Sequence, residues 1–146
     1  MIFVSACLLG ENCKYSGGHN KNDAVIAFLQ GREYKAVCPE CLGGLPTPRP
    51  PAEIRGDTVM DREGKDVTAF FRRGAEKTLA LAQKYRPALC ILKANSPSCG
   101  VGAVYDGLFS GKLIPGDGLA AAALKAAGFR VVTERFPAEG VADMER

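Results

Sequence analysis

Short apolar segments that alternate with helix-like segments are the feature that most constrains the fold of this chain. The clearest is ALCILK at Ala88–Lys93, an apolar run of strand length. Three further segments are predicted to be strands: Ile2–Ala6, Tyr34–Val37 and Arg130–Thr133. Strands that alternate with helices indicate a single α/β domain over residues 1–146, with a mostly parallel, Rossmann-like sheet and helices on both faces.

Apolar spacing and capping residues predict three helices. The first covers Asn22–Leu29, with Asn22 or Asp23 as its cap, and the second runs from a capping Thr68 to about Arg86. The third covers Leu119–Ala127, with Asp117 as its cap. The buried stripe of the second helix is predicted to contain Phe71, Ala75, Thr78, Leu79 and Ala82.

Two segments between the second strand and the second helix are predicted to contain no helix. The prolines and glycines of GGLPTPRPP, Gly43–Pro51, predict a fixed, extended loop. The stretch from Ile54 to Asp66 is typical of a small hairpin, with a turn predicted at Arg62–Gly64.

Composition and charge limit the classes of function. Apolar residues make up 47% of the chain, enough for a folded core, and no apolar run approaches the roughly 20 residues that span a bilayer. The net charge of +3 is mild and scattered, which does not favour nucleic-acid binding. The first residues lack the basic segment of a signal peptide. We expect a cytoplasmic protein with a small-molecule partner and no membrane or nucleic-acid partner.

The chain has six cysteines but a single histidine, His19. In a reducing compartment disulfides are not expected, so this cysteine content favours metal binding or redox chemistry. Because one histidine cannot form a histidine-rich site, any metal would be bound mainly by thiolates.

Three of the cysteines follow predicted strands. Cys7 comes after the first strand, Cys38 ends the second, and Cys99 lies in the loop after ALCILK. Loops at the carboxyl ends of parallel strands meet at one edge of the sheet, so these thiols are expected to converge. Three thiolates can hold an iron–sulfur cluster and leave one iron open. The alternative is that they are ordinary buried cysteines, as Cys90 within ALCILK is expected to be.

Two other cysteine functions stay open as alternatives. Cys38 and Cys41 form a CxxC pattern, which is typical of thiol redox proteins. That motif needs a helix beginning at its first cysteine, and the segment Gly43–Pro46 prevents one of useful length, which disfavours a thioredoxin-like function. The other alternative is a zinc-thiolate structural or binding domain that catalyses no reaction.

Polar residues accompany the same cysteines. Glu40 lies two positions after the second of them, and Ser96 and Ser98 precede the third. A carboxylate in such a pocket is a candidate general acid or base, and a serine hydroxyl can polarise a heteroatom. Their ordinary roles would be an ion-paired or capping carboxylate and turn-forming serines. Arg49 is expected to bind an anion or a carbonyl, or to pair with Glu53.

Five motifs in a fixed order make the chain resemble a known family. They are SACLLGENCKYSGG, CPECLGGLPTPRPPAEI, GKDVTAFFRRGA, LKANSPSCG and YDGLFSGKLIPGDGL. Together they extend over nearly the whole chain and closely resemble the bacterial thiouracil desulfidase family. Several motifs in one order are much more specific than any one of them.

This resemblance implies a cofactor and the residues that hold it. It implies a 4Fe-4S cluster bound by Cys7, Cys38 and Cys99, with the fourth iron free to take the sulfur of a thiolated pyrimidine. Cys13 and Cys41 lie outside that ligand set. Their presence leaves open a different or fourth thiolate in this protein.

The resemblance also implies a reaction and a catalytic pair. Sulfur would be removed from a pyrimidine such as 2-thiouracil, giving uracil and sulfide without a net redox change. Glu40 would move protons and help water attack the ring carbon, and Ser96 would orient or polarise the ring.

Overall fold

The computed structural model describes residues 1–136. In chain order its elements are β1 (Ile2–Ser5), α1 (Asp23–Leu29), β2 (Tyr34–Val37), α2 (Pro39–Leu42), β3 (Ala52–Arg55), β4 (Thr58–Asp61), α3 (Thr68–Tyr85), β5 (Leu89–Leu92), β6 (Ala103–Tyr105), β7 (Leu113–Pro115), α4 (Leu119–Ala126) and β8 (Val131–Thr133). Four strands form a parallel sheet in the order β2-β1-β5-β8. The predicted α/β fold with a mostly parallel sheet is therefore confirmed.

Helices cover both faces of this sheet, as predicted. On one face α1 places Phe28 against Val4 of β1. On the other face Ala82 of α3 and Leu124 of α4 pack with Phe3 of β1. Phe3 and Val4 of β1 thus pack into the hydrophobic cores on opposite faces of the sheet, because side chains alternate between the faces of a strand. No helix within residues 1–136 combines the length and apolar character needed to cross a bilayer.

The first predicted helix cap is confirmed and the second is wrong. Asn22 caps α1, since its Oδ1 accepts a hydrogen bond from the amide of Val25 at 3.0 Å. Thr68 lies within the first turn of α3, and its Oγ1 instead accepts from the amide of Val59 at 2.8 Å. That bond joins α3 to β4. Leu79 is only partly buried, whereas the rest of the predicted stripe lies in the core.

The hairpin β3–β4 turns earlier than predicted. Its strands pair from Ala52↔Asp61 to Arg55↔Thr58, so the turn lies at residues 56–57. The predicted turn at 62–64 is a second one, closed by Asp61, whose Oδ1 accepts from the amides of Glu63 and Lys65. The segment Gly43–Pro51 contains no helix or strand, as predicted.

A further hairpin, β6–β7, was not expected from the sequence. Its strands pair antiparallel in the glycine-rich region before α4. Asp117, predicted to cap α4, instead accepts hydrogen bonds from the amide of Gly102 at 2.7 Å and from Nζ of Lys125 at 3.0 Å. It therefore links the hairpin to α4. One domain over residues 1–146 stays a prediction, because positions 137–146 lie outside the described residues.

Candidate active site

The carboxyl ends of β1, β2 and β5 open into one cavity of about 570 Å³. The five residues that the resemblance implies all line this cavity: Cys7, Cys38, Glu40, Ser96 and Cys99. Cys90 does not line it and is fully buried in β5, as expected of an ordinary core cysteine. The structure thus brings the predicted residues together, while their roles as ligands and catalysts stay predictions.

The short helix α2 places two of these residues at the cavity. Cys38 is its N-cap residue and Glu40 lies in its only turn. The helix packs backbone to backbone against α3, since a Cβ atom on Gly43 would overlap the carbonyl oxygen of Phe70 and one on Gly74 would overlap that of Pro39. Only glycine permits the two backbones to approach so closely. Close helix packing is one of the reasons for which a glycine is found inside a helix.

Three thiols meet on one side of the cavity. The thiol of Cys13 lies close enough to those of Cys7 and Cys38 to interact with both. This contact lowers the pKa of Cys7 to about 7, and the pKa of Cys38 to about 6. Nδ2 of Asn20 donates to Sγ of Cys7 at 3.4 Å and lowers its pKa further. The same contacts raise the pKa of Cys13, which makes Cys13 the protonated partner.

The third predicted ligand has a different environment. Cys99 is buried, and this burial raises the pKa of its thiol to about 12. Oγ of Ser5 donates to its sulfur at 3.4 Å and also accepts from the amide of Lys93 at 3.0 Å. The end of β1 and the loop after β5 are thereby joined beside this sulfur.

Cys41 is exposed and does not line the cavity. Its Sγ lies 3.7 Å from Oγ1 of Thr47. The helix that follows Cys38 has only four residues, so the expectation that no longer helix begins there is confirmed. The six cysteines of the described residues are all free thiols.

Glu40 is held by two neighbours. Its Oε1 accepts a hydrogen bond from Nε of Arg49 at 3.0 Å, and its Oε2 accepts one from Oγ of Ser98 at 2.8 Å. Oγ of Ser98 in turn lies 2.9 Å from Oγ of Ser96. Arg49 therefore pairs with Glu40, and the alternative pairing with Glu53 is wrong. Ser96 and Ser98 are two positions apart in the sequence, and this spacing is the one feature of the sequence that indicates their contact.

The donor set bears on which metal group the cavity can hold. Among residues 1–136, no three His, Cys, Asp or Glu side chains are arranged to bind a single metal ion. A structural zinc site needs four donors about 2.0–2.3 Å from one point, an arrangement that residues 1–136 do not present. Cys7 and Cys38 lie beside Cys13, whereas Cys99 has a separate environment beside Ser5, and ligands distributed in this way around a cavity of about 570 Å³ are compatible with a larger, polynuclear group.

A parallel sheet whose carboxyl edge opens into a thiol-lined cavity defines an α/β protein equipped to bind a metal cluster beside a fixed carboxylate. A family model described as 2-thiouracil desulfurase matches residues 2–135, and the chain belongs to this family. The family resemblance found in the five motifs is thus confirmed.

Two similar proteins extend this result. The chain is 45% identical over 144 aligned positions to the uncharacterized protein YbbK of Bacillus subtilis (strain 168), covering 92% of this chain and 95% of that protein. A solved structure described as the 4Fe-4S-dependent thiouracil desulfidase TudS has 42% sequence identity and a TM-score of 0.87. That match covers 99% of this chain and 98% of the other.

Proposed function

We propose that this protein is a 4Fe-4S-dependent desulfidase that converts 2-thiouracil, or a closely related thiolated pyrimidine, to uracil and sulfide. The observation that carries the proposal is the shared cavity of three separate cysteines with Glu40 and Ser96. Two comparisons support the proposal: this chain belongs to the 2-thiouracil desulfurase family, and its sequence is 42% identical to that of TudS.

Cys7, Cys38 and Cys99 are the proposed ligands of the cluster. The lowered pKa values of Cys7 and Cys38 favour thiolates near neutral pH, the form that binds metal. Cys99 is buried with a raised pKa and would lose its proton on binding the cluster. When bound, the cluster would supply an iron with an open position that acts as a Lewis acid towards the substrate sulfur.

Glu40 is the proposed general acid and base. Water adds to the ring carbon that carries sulfur, and Glu40 accepts a proton from that water. The bond from carbon to sulfur then breaks, so the thiocarbonyl and water become a carbonyl and hydrogen sulfide with no net transfer of electrons. Arg49 and Ser98 fix the direction of the carboxylate through its two oxygens.

Ser96 is the proposed positioning hydroxyl for the ring. It accepts hydrogen bonds at 3.1 Å from the amides of Ser98 and Cys99, so its oxygen is fixed in the turn. Its contact with the hydroxyl of Ser98 continues to Glu40. This row of oxygens offers a path for a proton between the carboxylate and a ring heteroatom.

The direct test uses protein reconstituted with iron and sulfide without oxygen. Incubation with 2-thiouracil should give uracil and sulfide in equal amounts, measured by chromatography and by a sulfide assay. The same protein without the cluster and the reconstituted Cys99→Ala variant serve as controls and should give neither. Protein that holds its cluster but desulfurates no thiopyrimidine would refute the proposed function.

The finer details of partner and location belong to the same proposal. A small thiolated heterocycle suits a cavity of about 570 Å³, within the usual range for small-molecule sites. A cytoplasmic location is supported by the six cysteines, which are free thiols in the described residues, since such thiols persist in a reducing compartment.

A further inference from the structure

We propose that Phe109 is the surface on which the pyrimidine ring of the substrate stacks, and that Glu53 and Arg55 are the residues that position it. This inference rests on the proposed function and assigns the part of the cavity that recognises the ring. Phe109 lines the same cavity as Glu40 and Ser96. It lies in the loop between β6 and β7, away from the cysteines in sequence.

The backbone of Phe109 is held in an unfavourable conformation. Its φ is 53°, in the left-handed region that bulky residues rarely adopt. Such strain persists only where the surroundings enforce it, and it concentrates at functional sites. Phe109 also belongs to none of the hydrophobic core clusters of residues 1–136. Core packing therefore does not explain why an aromatic residue occupies this position.

The surroundings that enforce this conformation are two side chains of β3. Oε1 of Glu53 accepts hydrogen bonds from the amides of Gly107 at 3.0 Å and Phe109 at 3.1 Å. Nε and one terminal nitrogen of Arg55 donate to the carbonyl oxygen of Gly107 at 3.1 and 2.8 Å. Gly107 has φ 88°, and a Cβ atom there would lie 2.6 Å from the carbonyl oxygen of Ile54. These contacts fix the position of the β6–β7 loop relative to β3.

This arrangement gives the loop one inward and one outward side chain. Phe109 is half-buried and lines the cavity, whereas the neighbouring Leu108 is 68% exposed and does not. The guanidinium of Arg62 lies 5.2 Å from the centre of the Phe109 ring and braces it. A planar heterocycle with carbonyl groups suits such a wall, because bases stack well on aromatic side chains irrespective of their substituents.

The test measures binding of uracil, which has the ring but no sulfur, to the reconstituted protein by calorimetry. Phe109→Ala should weaken uracil binding about 5- to 100-fold, the usual effect of removing an aromatic partner of a base. It should raise KM for 2-thiouracil by a similar factor with little change in kcat. Phe109→Tyr should bind like the wild type, and Leu108→Ala is the matched control that should change neither quantity.

Two further variants separate stacking from a structural role. Phe109→Gly should raise the melting temperature, because it removes the backbone strain, and yet weaken uracil binding as Phe109→Ala does. Glu53→Ala removes the acceptor of the amides of Gly107 and Phe109 and should raise KM while sparing kcat. Because Glu53 acts through Phe109, a double variant that lacks both the Glu53 and the Phe109 side chains, with Ala at each position, should bind uracil no more weakly than Phe109→Ala alone.

The possible failures are distinguishable. Folded Phe109→Ala protein with wild-type uracil affinity and wild-type KM would overturn the stacking proposal and leave the desulfidase function intact. Wild-type protein that releases no sulfide, but binds uracil in a manner that depends on Phe109, would refute the desulfidase function and support the ring site.

Discussion

Nε of Arg49 lies 3.0 Å from Oε1 of Glu40, with side chains that are only 5% and 17% exposed. The same guanidinium donates to Oγ1 of Thr47 and to the carbonyl oxygen of Cys13, both at 2.9 Å. Arg49 thus connects α2 to the loop that bears Cys13 and fixes the proposed catalytic carboxylate between the two.

Replacement of Glu40 by Gln tests its role in proton transfer. The amide matches the carboxylate in size but cannot accept and return a proton, so sulfur release from 2-thiouracil should fall about 10²- to 10⁴-fold. Iron and sulfide contents should stay at the wild-type level. Uracil production per iron is the quantity to measure, and a near-normal value would rule out the proton-transfer role of Glu40.

Variants of Arg49 and Ser98 test how far turnover depends on the orientation of the Glu40 carboxylate. Arg49→Lys keeps a positive charge but loses the fork of donors, and Ser98→Ala removes the bond to Oε2 of Glu40 together with the contact to Oγ of Ser96. We expect each to reduce turnover less than Glu40→Gln does, since the carboxylate itself is kept.

Single cysteine variants test the ligand set. Cys7→Ala, Cys38→Ala and Cys99→Ala should each lose most iron after reconstitution, because two protein thiolates cannot replace three. Cys90→Ala is the matched control and should keep its iron, since Cys90 is buried in β5 outside the cavity. Iron is measured per folded protein, with circular dichroism to confirm the fold.

Cys13→Ala addresses the question that the sequence leaves open. Cys13 contacts two proposed ligands through its thiol, so its proximity alone does not settle its role. We expect the variant to keep its iron, as the three-thiolate set is intact. Loss of iron in folded Cys13→Ala protein would instead make Cys13 a fourth ligand.

The local sequence pattern was sufficient to predict the parallel sheet and the convergence of the cysteines at its edge. The strands that precede Cys7 and Cys99 are continuous apolar runs, and parallel topology alone brings the loops after them to one edge. Helix caps were less reliable. Thr68 and Asp117 both have side chains suited to capping, but each bonds a distant segment instead. A capping pattern cannot distinguish a local partner from a tertiary one.

The parts of the site that were not predicted depend on contacts distant in sequence. Arg49 is nine residues from Glu40, and which carboxylate it would meet depended on the path of a proline-rich loop. The contact between Ser98 and Glu40 spans 58 positions. Hairpin β6–β7 was missed because three-residue strands among glycines carry little periodic signal.

The pKa values of the cysteines predict selective alkylation of the cluster-free protein. The thiols of Cys7, Cys13 and Cys38 interact and titrate as a group, which loses its first protons at about pH 6–7. Raising the pH from 5.5 to 7.5 increases the thiolate fraction, so labelling by iodoacetamide at Cys7 and Cys38 should rise steeply over that range.

The buried cysteines are the internal controls of that experiment. Cys90 and Cys99 have pKa values raised to about 12 by burial and should stay unlabelled until the protein is denatured. Peptide mass spectrometry identifies the labelled sites. Labelling of Cys7 and Cys38 that begins only near the ordinary cysteine pKa of about 8.5 would contradict the lowered values.

Gly74→Ala tests whether the contact of α2 with α3 supports the site. In an ordinary helix interior this change stabilises a protein by about 1 kcal/mol, because alanine is the better helix former. Here the added Cβ would overlap the carbonyl oxygen of Pro39 and force α2 away from α3. We therefore expect the free energy of unfolding to fall by about 1–3 kcal/mol, as for other overpacked contacts.

The same shift should disturb the site, because α2 carries Cys38 and Glu40 at its first turn. Iron content and sulfur release should both fall in Gly74→Ala, even in the fraction that stays folded. Lys77→Ala, on the exposed side of α3, is the control and should change stability by less than about 0.5 kcal/mol. A Gly74→Ala protein that is more stable than the wild type and retains full iron would show that the backbones of α2 and α3 are not in direct contact at Gly74 and Pro39.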